Sequence, residues 1–290
     1  MKVLVTGAGG QLGREFVLLL QDAGMEAVAL TRNELDLTAA ADTIADTIAI
    51  HQADWIVNCA AYTQVDRAES EPELAYAVNR DAAAAIAEGA RRGNGRLLQV
   101  STDFVFGGDK SSPYREDDSP APLGVYGASK LAGEQAVLEV LPSALILRTA
   151  WVYGCHGHNF VKTILRVAGE RDELHVVDDQ IGTPAWTRDI AGAMLALMRA
   201  GAEGAYHFTN EGVASWYDFA LAVLELGAAQ GFGIKARTLQ PIPTADYPTP
   251  ARRPAYSVLS KAKIRPLLPG SIPHWRTSLS AMLQELSISS

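Results

Sequence analysis

Short apolar runs alternate with longer helical patterns through the first half of the chain. Val3–Val5 reads as a strand, and Leu12–Gln21 as a helix that opens at a cluster of glycines. Ala27–Leu30 predicts a second strand, and Trp55–Cys59 a third that ends in small residues. Asp81–Arg92 is Ala-rich and helical, with Gly93 placed to cap it. Arg96–Val100 reads as the fourth strand, Tyr126–Val140 as a helix and Ala144–Leu147 as the fifth strand. The strands are continuously apolar rather than alternating, as burial on both faces requires. This order predicts an α/β fold, a doubly wound parallel sheet with helices on both faces.

The second half is less regular. Phe160–Arg171, Thr187–Met198, Trp216–Leu226 and Trp275–Leu286 carry helical patterns, and Ser215 is a plausible N-cap for the third. Leu174–Val177 and Ala205–Thr209 read as strands. A Pro-rich passage from Pro241 to Pro254 reads as an extended loop. With no internal repeat or low-complexity linker, this half is expected to pack on the sheet as a smaller lobe.

Composition narrows the function classes. The chain has 290 residues, with 25 Lys and Arg against 33 Asp and Glu, and that net charge of −8 argues against a nucleic-acid partner. No apolar window approaches the ~20 residues that span a bilayer. Met1-Lys2 leads directly into Val3-Leu4-Val5, and Gly7 interrupts the apolar stretch, which is unlike a targeting signal. Two cysteines, Cys59 and Cys155, are too few for a disulfide framework. A cytoplasmic protein with no membrane partner is expected.

Between the first strand and the first helix lies Thr6-Gly7-Ala8-Gly9-Gly10-Gln11-Leu12-Gly13. Glycines there allow a sharp turn and the close approach of a pyrophosphate, whose charge the helix start favours. The spacing is Gly7-x-x-Gly10-x-x-Gly13 rather than the strict dinucleotide pattern, so position along the chain carries the inference. Residues 1–153 are accordingly expected to form a Rossmann-type dinucleotide-binding domain. Residues 154–290 are expected to be mainly a substrate-binding lobe, with some elements returning to the core. After the second strand stands Arg32, where an NAD-binding fold commonly has an acid. Its fork suits a 2′-phosphate, which favours NADPH, while nearby Glu34 and Asp36 leave NADH as an alternative.

Tyr126 and Lys130 are four residues apart and share one helix face. A phenol beside an ammonium, whose charge lowers the phenol's pKa, is a good general acid for a carbonyl. The fourth strand ends in Ser101-Thr102-Asp103. In an open parallel sheet, ligands collect at the strands' carboxyl ends, so either hydroxyl could meet a substrate oxygen. Cys155-His156-Gly157-His158 has too few ligands for a metal and reads as a loop near the substrate mouth. Trp216, Tyr217 and Phe219 read as packing aromatics. Arg252-Arg253, between prolines, suits either a diphosphate or a surface ion pair.

These residues resemble the extended short-chain dehydrogenase/reductases. Within them, the chain is similar to the dTDP-4-dehydrorhamnose reductase family over practically its whole length. The similarity is carried by Ala60-Ala61-Tyr62-Thr63-x-Val65-Asp66-x-Ala68-Glu69, Ser101–Phe106, Val125-Tyr126-Gly127-x-x-Lys130, Arg148-Thr149-x-Trp151-Val152-Tyr153, Asp179-Gln180-x-Gly182-x-Pro184 and Tyr247–Pro254. The resemblance implies that Thr102, Tyr126 and Lys130 are catalytic. It places the cofactor against Gln11, Leu12, Asp36, Leu37, Ala60, Ala61, Tyr62, Tyr126 and Lys130. It assigns Thr102, Asp103, Tyr126 and Trp151 to a nucleotide sugar, with the indole offering an apolar face, and Arg253 is added for the diphosphate. Asn79 resembles an asparagine that supports the active site. Reduction of a dTDP-linked 4-keto-6-deoxysugar is implied, feeding polysaccharide synthesis, by a monomer or homodimer. Some members dimerise through a metal held by three glutamates. Glu15 and Glu285 match two of those positions but Arg188 stands at the third, so no metal is expected. The rival readings are another nucleotide-sugar reductase or epimerase, and a non-catalytic subunit like the regulatory chain of methionine adenosyltransferase.

Overall fold

Val3, Leu4 and Val5 have no solvent exposure, as a strand clothed on both faces demands. They form β1 (Lys2–Thr6), the inner strand of a sheet completed by β2 (Glu26–Leu30), β3 (Trp55–Asn58), β4 (Arg96–Thr102) and β5 (Leu145–Thr149). A computed structural model, describing residues 1–288, shows six parallel strands. Three short strands, β6 (Val152–Tyr153), β8 (Ile181–Gly182) and β9 (Ala185–Trp186), and a longer one, β7 (Glu173–Val177), follow before the sixth member, β10 (Gly204–His207). The order β10-β5-β4-β3-β1-β2 is doubly wound, with β10 drawn from the second half of the chain.

Strand alternation divides the apolar residues between two cores. Val3, Val5, Val57, Leu98 and Leu147 face α1 (Gln11–Asp22) and α8 (Thr187–Arg199), meeting Phe16, Leu20, Ile190 and Met194. Leu4, Ile56, Leu97 and Ile146 face the other way, onto α2 (Ala41–Ala49), α5 (Ala82–Arg92) and α6 (Val125–Val140). The sequence reading omits α2, whose apolar stripe is only Ile44 and Ile48 among alanines. Two short helices, α3 (Val65–Ala68) and α4 (Pro72–Tyr76), precede α5, and a π turn at Ala77–Asp81 joins α4 to it. Gly93 is the C-cap of α5 as expected, and the residue after it, Asn94, adopts the left-handed conformation at φ +56°. Asn tolerates that region, so glycine is not needed there.

A third core fills the remaining lobe. Aromatics Tyr153, Phe160, Trp216, Phe219 and Trp275 cluster between α7 (Phe160–Glu170), α9 (Trp216–Ala229) and α10 (Trp275–Ile288). Ser215, in the two-residue strand β11 (Ala214–Ser215), caps α9 as expected. Its hydroxyl accepts the Asp218 N–H at 3.0 Å, and the Asp218 carboxylate accepts the Ser215 N–H at 2.9 Å. The Pro-rich passage is not wholly a loop, because Pro241 lies in β12 (Thr238–Ile242), which pairs parallel with β7. A two-stranded ladder has only edge strands, where a missing N–H is tolerated. Among the described residues no helix is long and apolar enough to cross a membrane.

One buried ion pair bolts α6 to the sheet. The Arg148 guanidinium of β5 donates to both Glu134 oxygens, at 2.7 and 2.9 Å, and the two side chains are 6% and 5% exposed. His207 lies 3.4 Å from Arg148, and burial, reinforced by that positive charge, pushes its pKa down to about 3. The imidazole is therefore neutral and leaves Glu134 as the partner of the arginine. Glu134→Ala would strand a buried guanidinium, a loss of about 3–5 kcal/mol. A urea titration should show that fall in the unfolding midpoint, and an unchanged midpoint would remove the pair from the stability of the fold.

Candidate active site

The glycine loop is shaped by its own backbone. Gly7 adopts φ +66°, and a Cβ on it would stand 2.7 Å from the Ala60 Cα. A Cβ on Gly13 would come within 2.3 Å of the Gly7 carbonyl oxygen, which accepts the Gly10 N–H at 2.9 Å. Gly9 differs: a Cβ there would touch nothing nearer than the Thr31 side chain at 3.8 Å. The fold does not demand glycine at that position, which is exposed just before the N–H groups of Gln11 and Leu12 begin α1. An exposed glycine before a helix start suits the pyrophosphate of a dinucleotide.

At the end of β2 the acids are already engaged. Glu34 accepts both the N–H and the hydroxyl of Thr31, and Asp36 accepts the Thr38 N–H at 2.9 Å and its hydroxyl at 2.8 Å. These bonds lower both carboxyl pKa values. Arg32 is exposed beside them, and Leu37 is half-buried. Of the three charged residues, only Arg32 keeps its charged group turned to solvent without such a local bond.

Beyond β3, Ala60 donates its N–H to Asn58 Oδ1 at 3.1 Å, and Ala61 and Tyr62 follow. Asn79, set by the π turn, accepts the Tyr62 N–H at 2.9 Å and donates to the Tyr62 carbonyl at 3.1 Å. It also donates to the Ser129 hydroxyl on α6 at 3.0 Å. It is thus a staple between the segment after β3 and the helix that carries Tyr126.

Thr102, Asp103, Tyr126 and Lys130 come together at the carboxyl end of β4. The Thr102 hydroxyl donates to Asp103 Oδ1 at 3.1 Å and accepts the Phe104 N–H at 3.2 Å. The Ser101 hydroxyl is buried and meets no partner among the described residues. Burial pushes the half-buried Tyr126 phenol up to about 12, opposed by the Thr102 hydroxyl and reinforced by Asp103. Burial likewise lowers Lys130 to about 8, while its ammonium donates to the Val100 carbonyl at 2.8 Å. The expected depression of the phenol by the lysine is therefore corrected. Helical spacing puts both on one face, but burial disfavours each charged form and a backbone carbonyl engages the ammonium.

A small cavity of about 20 Å³ adjoins this group, lined by Phe104, Trp151, Gln180, Trp216, Arg253 and Ser257. Two expectations change here. Trp151 adopts φ +45°, and Trp216 covers one face of its ring at 3.6 Å, so that face is not free for a sugar. Arg253 is neither free nor a simple surface pair: it forks onto Asp66, with Nη2 to Oδ2 at 2.9 Å and Nη1 to Oδ1 at 3.2 Å. Arg252 is exposed. The Cys155–His158 loop does not sit at the substrate mouth. It lies on the glycine loop, where a Cβ on Gly157 would stand 2.8 Å from Gln11 Cγ and Asn159 donates to Gln11 Oε1 at 2.9 Å. Arg188 donates to Glu15 at 3.1 Å and to Glu285 at 2.8 Å, the direct pairing its position suggests. Residue-by-residue reasoning singled out neither Asp66, Glu69, Gln180 nor a site role for Trp216. The first three lie in the motif stretches, which was their only signal.

Residues 1–288 match the family model described as RmlD substrate binding domain. The chain is 45% identical over 285 residues to the dTDP-4-dehydrorhamnose reductase of Aggregatibacter actinomycetemcomitans, covering 96% of this chain and 97% of that one. It is 42% identical over 300 residues to the enzyme of the same name from Burkholderia thailandensis, with 99% of each covered. The crystal structure of the Bacillus anthracis dTDP-4-dehydrorhamnose reductase in complex with NADP superposes with a TM-score of 0.92. That protein is 36% identical, with 98% of this chain and 100% of the other covered.

Asp103 gives the site a measurable signature. Burial pushes its carboxyl up to about 6, and Oδ2 meets no hydrogen-bond partner among the described residues. The folded chain thus holds the proton more tightly than the unfolded chain, whose Asp ionises near pH 4. An ionised Asp103 weakens the fold above pH 6, and the loss is recovered as pH falls from 6 towards 4. Asp103→Asn should raise the melting temperature at pH 8 and lose that advantage at pH 4. An equal effect at both values would contradict the assignment.

Proposed function

Because the chain belongs to the RmlD substrate binding domain family, we propose that it reduces the C4 ketone of dTDP-4-dehydro-6-deoxy-L-mannose (dTDP-4-dehydrorhamnose) with NADPH. The product is dTDP-L-rhamnose. The observation that carries this reading is the meeting of Thr102, Tyr126 and Lys130 at the carboxyl end of a doubly wound sheet, beside a glycine loop bare at Gly9. Family membership makes the chain an NAD(P)H-dependent oxidoreductase. That triad also speaks against a non-catalytic subunit.

NADPH, when bound, supplies the hydride that C4 receives. Tyr126 keeps its proton at neutral pH because burial opposes ionisation, and it delivers that proton to the oxygen as negative charge develops there. Thr102 donates a hydrogen bond to the same oxygen, and reorientation of its hydroxyl from Asp103 makes the donor free. Lys130 has three N–H donors, so its bond to Val100 leaves two for the cofactor's ribose. Gly7, Gly10, Gly13, Gln11 and Leu12 cradle the pyrophosphate, and Asp36, Leu37, Ala60, Ala61 and Tyr62 flank the rest of the cofactor. Asp103, Trp151 and Arg253 receive the nucleotide sugar, with Trp151 using its ring edge.

The purified protein should oxidise NADPH when given dTDP-4-dehydrorhamnose. Tyr126→Phe should cut turnover by about 10²–10⁴-fold with little change in cofactor affinity. A variant that turns over at the wild-type rate would exclude Tyr126 as the proton donor. Arg32→Ala separates the cofactors, since only NADPH has a 2′-phosphate. It should raise the KM for NADPH about 10- to 150-fold and spare NADH. Equal changes in both constants would make Arg32 ordinary surface.

A further inference from the structure

The helix that presents Tyr126 has no capping side chain of its own. Its N-cap is Gly124, and Tyr126 is its second residue. The cap comes from far along the chain: Glu69 Oε1 accepts the Val125 N–H at 2.8 Å. The approach depends on the glycine, since a Cβ on Gly124 would stand 2.5 Å from that oxygen. A carboxylate at a helix start satisfies an otherwise open donor and matches the helix dipole.

Three residues earlier, Asp66 performs a second task. It binds the terminal nitrogens of Arg253 and also accepts the Ala251 N–H at 3.3 Å, while Thr249 Oγ1 takes the Arg253 Nη1 at 2.8 Å. A guanidinium has five N–H donors. Three are used here, and among the described residues no hydrogen bond engages Nε. The edge formed by Nε and Nη2 is the one left for a ligand anion, and Arg253 lines the cavity with Trp151 and Trp216.

We propose that Glu69 and Asp66 are paired positioning residues. From one helical turn, Glu69 holds the proton donor through the start of α6, and Asp66 holds Arg253 with one edge open for the substrate's diphosphate. The turn thereby fixes the span between the reacting group and the anion grip, so a nucleotide sugar bound at its phosphates brings its carbonyl to Tyr126. Asn79 separately links the segment before that turn to α6, by its bonds to Tyr62 and Ser129. The inference rests on the reductase reading above and extends it to two side chains that touch neither substrate nor cofactor.

The test compares variants that keep or remove each acceptor. In the cofactor-free protein, amide exchange at Val125 should accelerate about tenfold in Glu69→Leu and change little in Glu69→Gln, which retains the acceptor. In turnover, Glu69→Leu should lower kcat about tenfold at unchanged KM for NADPH, and Glu69→Gln should restore most of it. Asp66→Ala should raise the KM for dTDP-4-dehydrorhamnose about tenfold, and add nothing in an Arg253→Met background. Equal kinetic losses in Glu69→Leu and Glu69→Gln, no loss in either, or an Asp66→Ala effect that persists without Arg253 would each overturn the proposal. A wild-type protein inactive on that sugar would sink the reductase reading instead. The exchange measurement would still decide the role of Glu69, with unaltered Val125 exchange in Glu69→Leu counting against it.

Discussion

A row of buried hydrogen bonds across the carboxyl ends of three strands determines where the site can stand. The Thr6 hydroxyl donates to Asn58 Oδ1 at 2.6 Å, and Asn58 Nδ2 donates to Gln99 Oε1 at 2.8 Å. Gln99 Nε2 donates to the Val100 carbonyl at 3.0 Å, the same carbonyl that receives Lys130. All of these side chains are buried, so each depends on its neighbour for the partner that water would otherwise provide. Thr6 is opposite Asn58, and Asn58 opposite Gln99, in the strand registers. A slip of one residue would turn a polar side chain into an apolar core. The glycine loop following Thr6 and the lysine on α6 are consequently held by one connected chain of bonds.

The remaining elements are tied to this frame at separate places by different chemistry. Arg148 and Glu134 join β5 to α6 in a dry setting, and Arg253 reaches Asp66 on a partly wet surface. Asn159 touches Gln11 at the glycine loop, and Arg188 bridges Glu15 and Glu285. These are unequal. The buried pair is costly to break because neither charge can recover its water. The exposed ones contribute little stability, so their value is in geometry. Where a fold joins its lobes by weak, directional contacts, their arrangement can be set by what binds between them.

The parts legible in the chain were those encoded locally. Glycine spacing, the Tyr126-x-x-x-Lys130 interval, the apolar strands and the Ser215 cap each depend on residues within a few positions. The doubly wound order followed from their alternation. What remained hidden depends on pairs far apart. Glu69 meets Val125 across 56 positions and Asp66 meets Arg253 across 187. No periodicity announces such a partner. Trp151 illustrates the same limit: its place after β5 was readable, but Trp216 stacking on its ring was not. Helix α2 escaped because alanines dilute its stripe, and Pro241 because a proline at an edge strand looks like a loop.

Burial also bears on the chemistry proposed for Tyr126. A phenol at about 12 stays neutral at pH 7, whereas an ammonium at about 8 stays mostly charged there, though less firmly than it would in water. The phenol then parts with its proton only to a base stronger than its own phenolate. A ketone oxygen is far weaker than that, whereas an alkoxide is far stronger. Proton transfer is therefore gated by the change in the substrate rather than by the pH of the medium. Such burial would be a handicap for a group that had to ionise first, but it suits one proposed to hold its proton until the carbonyl has been reduced. On the proposed reading, the same burial that disfavours a phenolate makes Tyr126 a late donor, and the bond from Asn79 to Ser129 braces the helix that carries it.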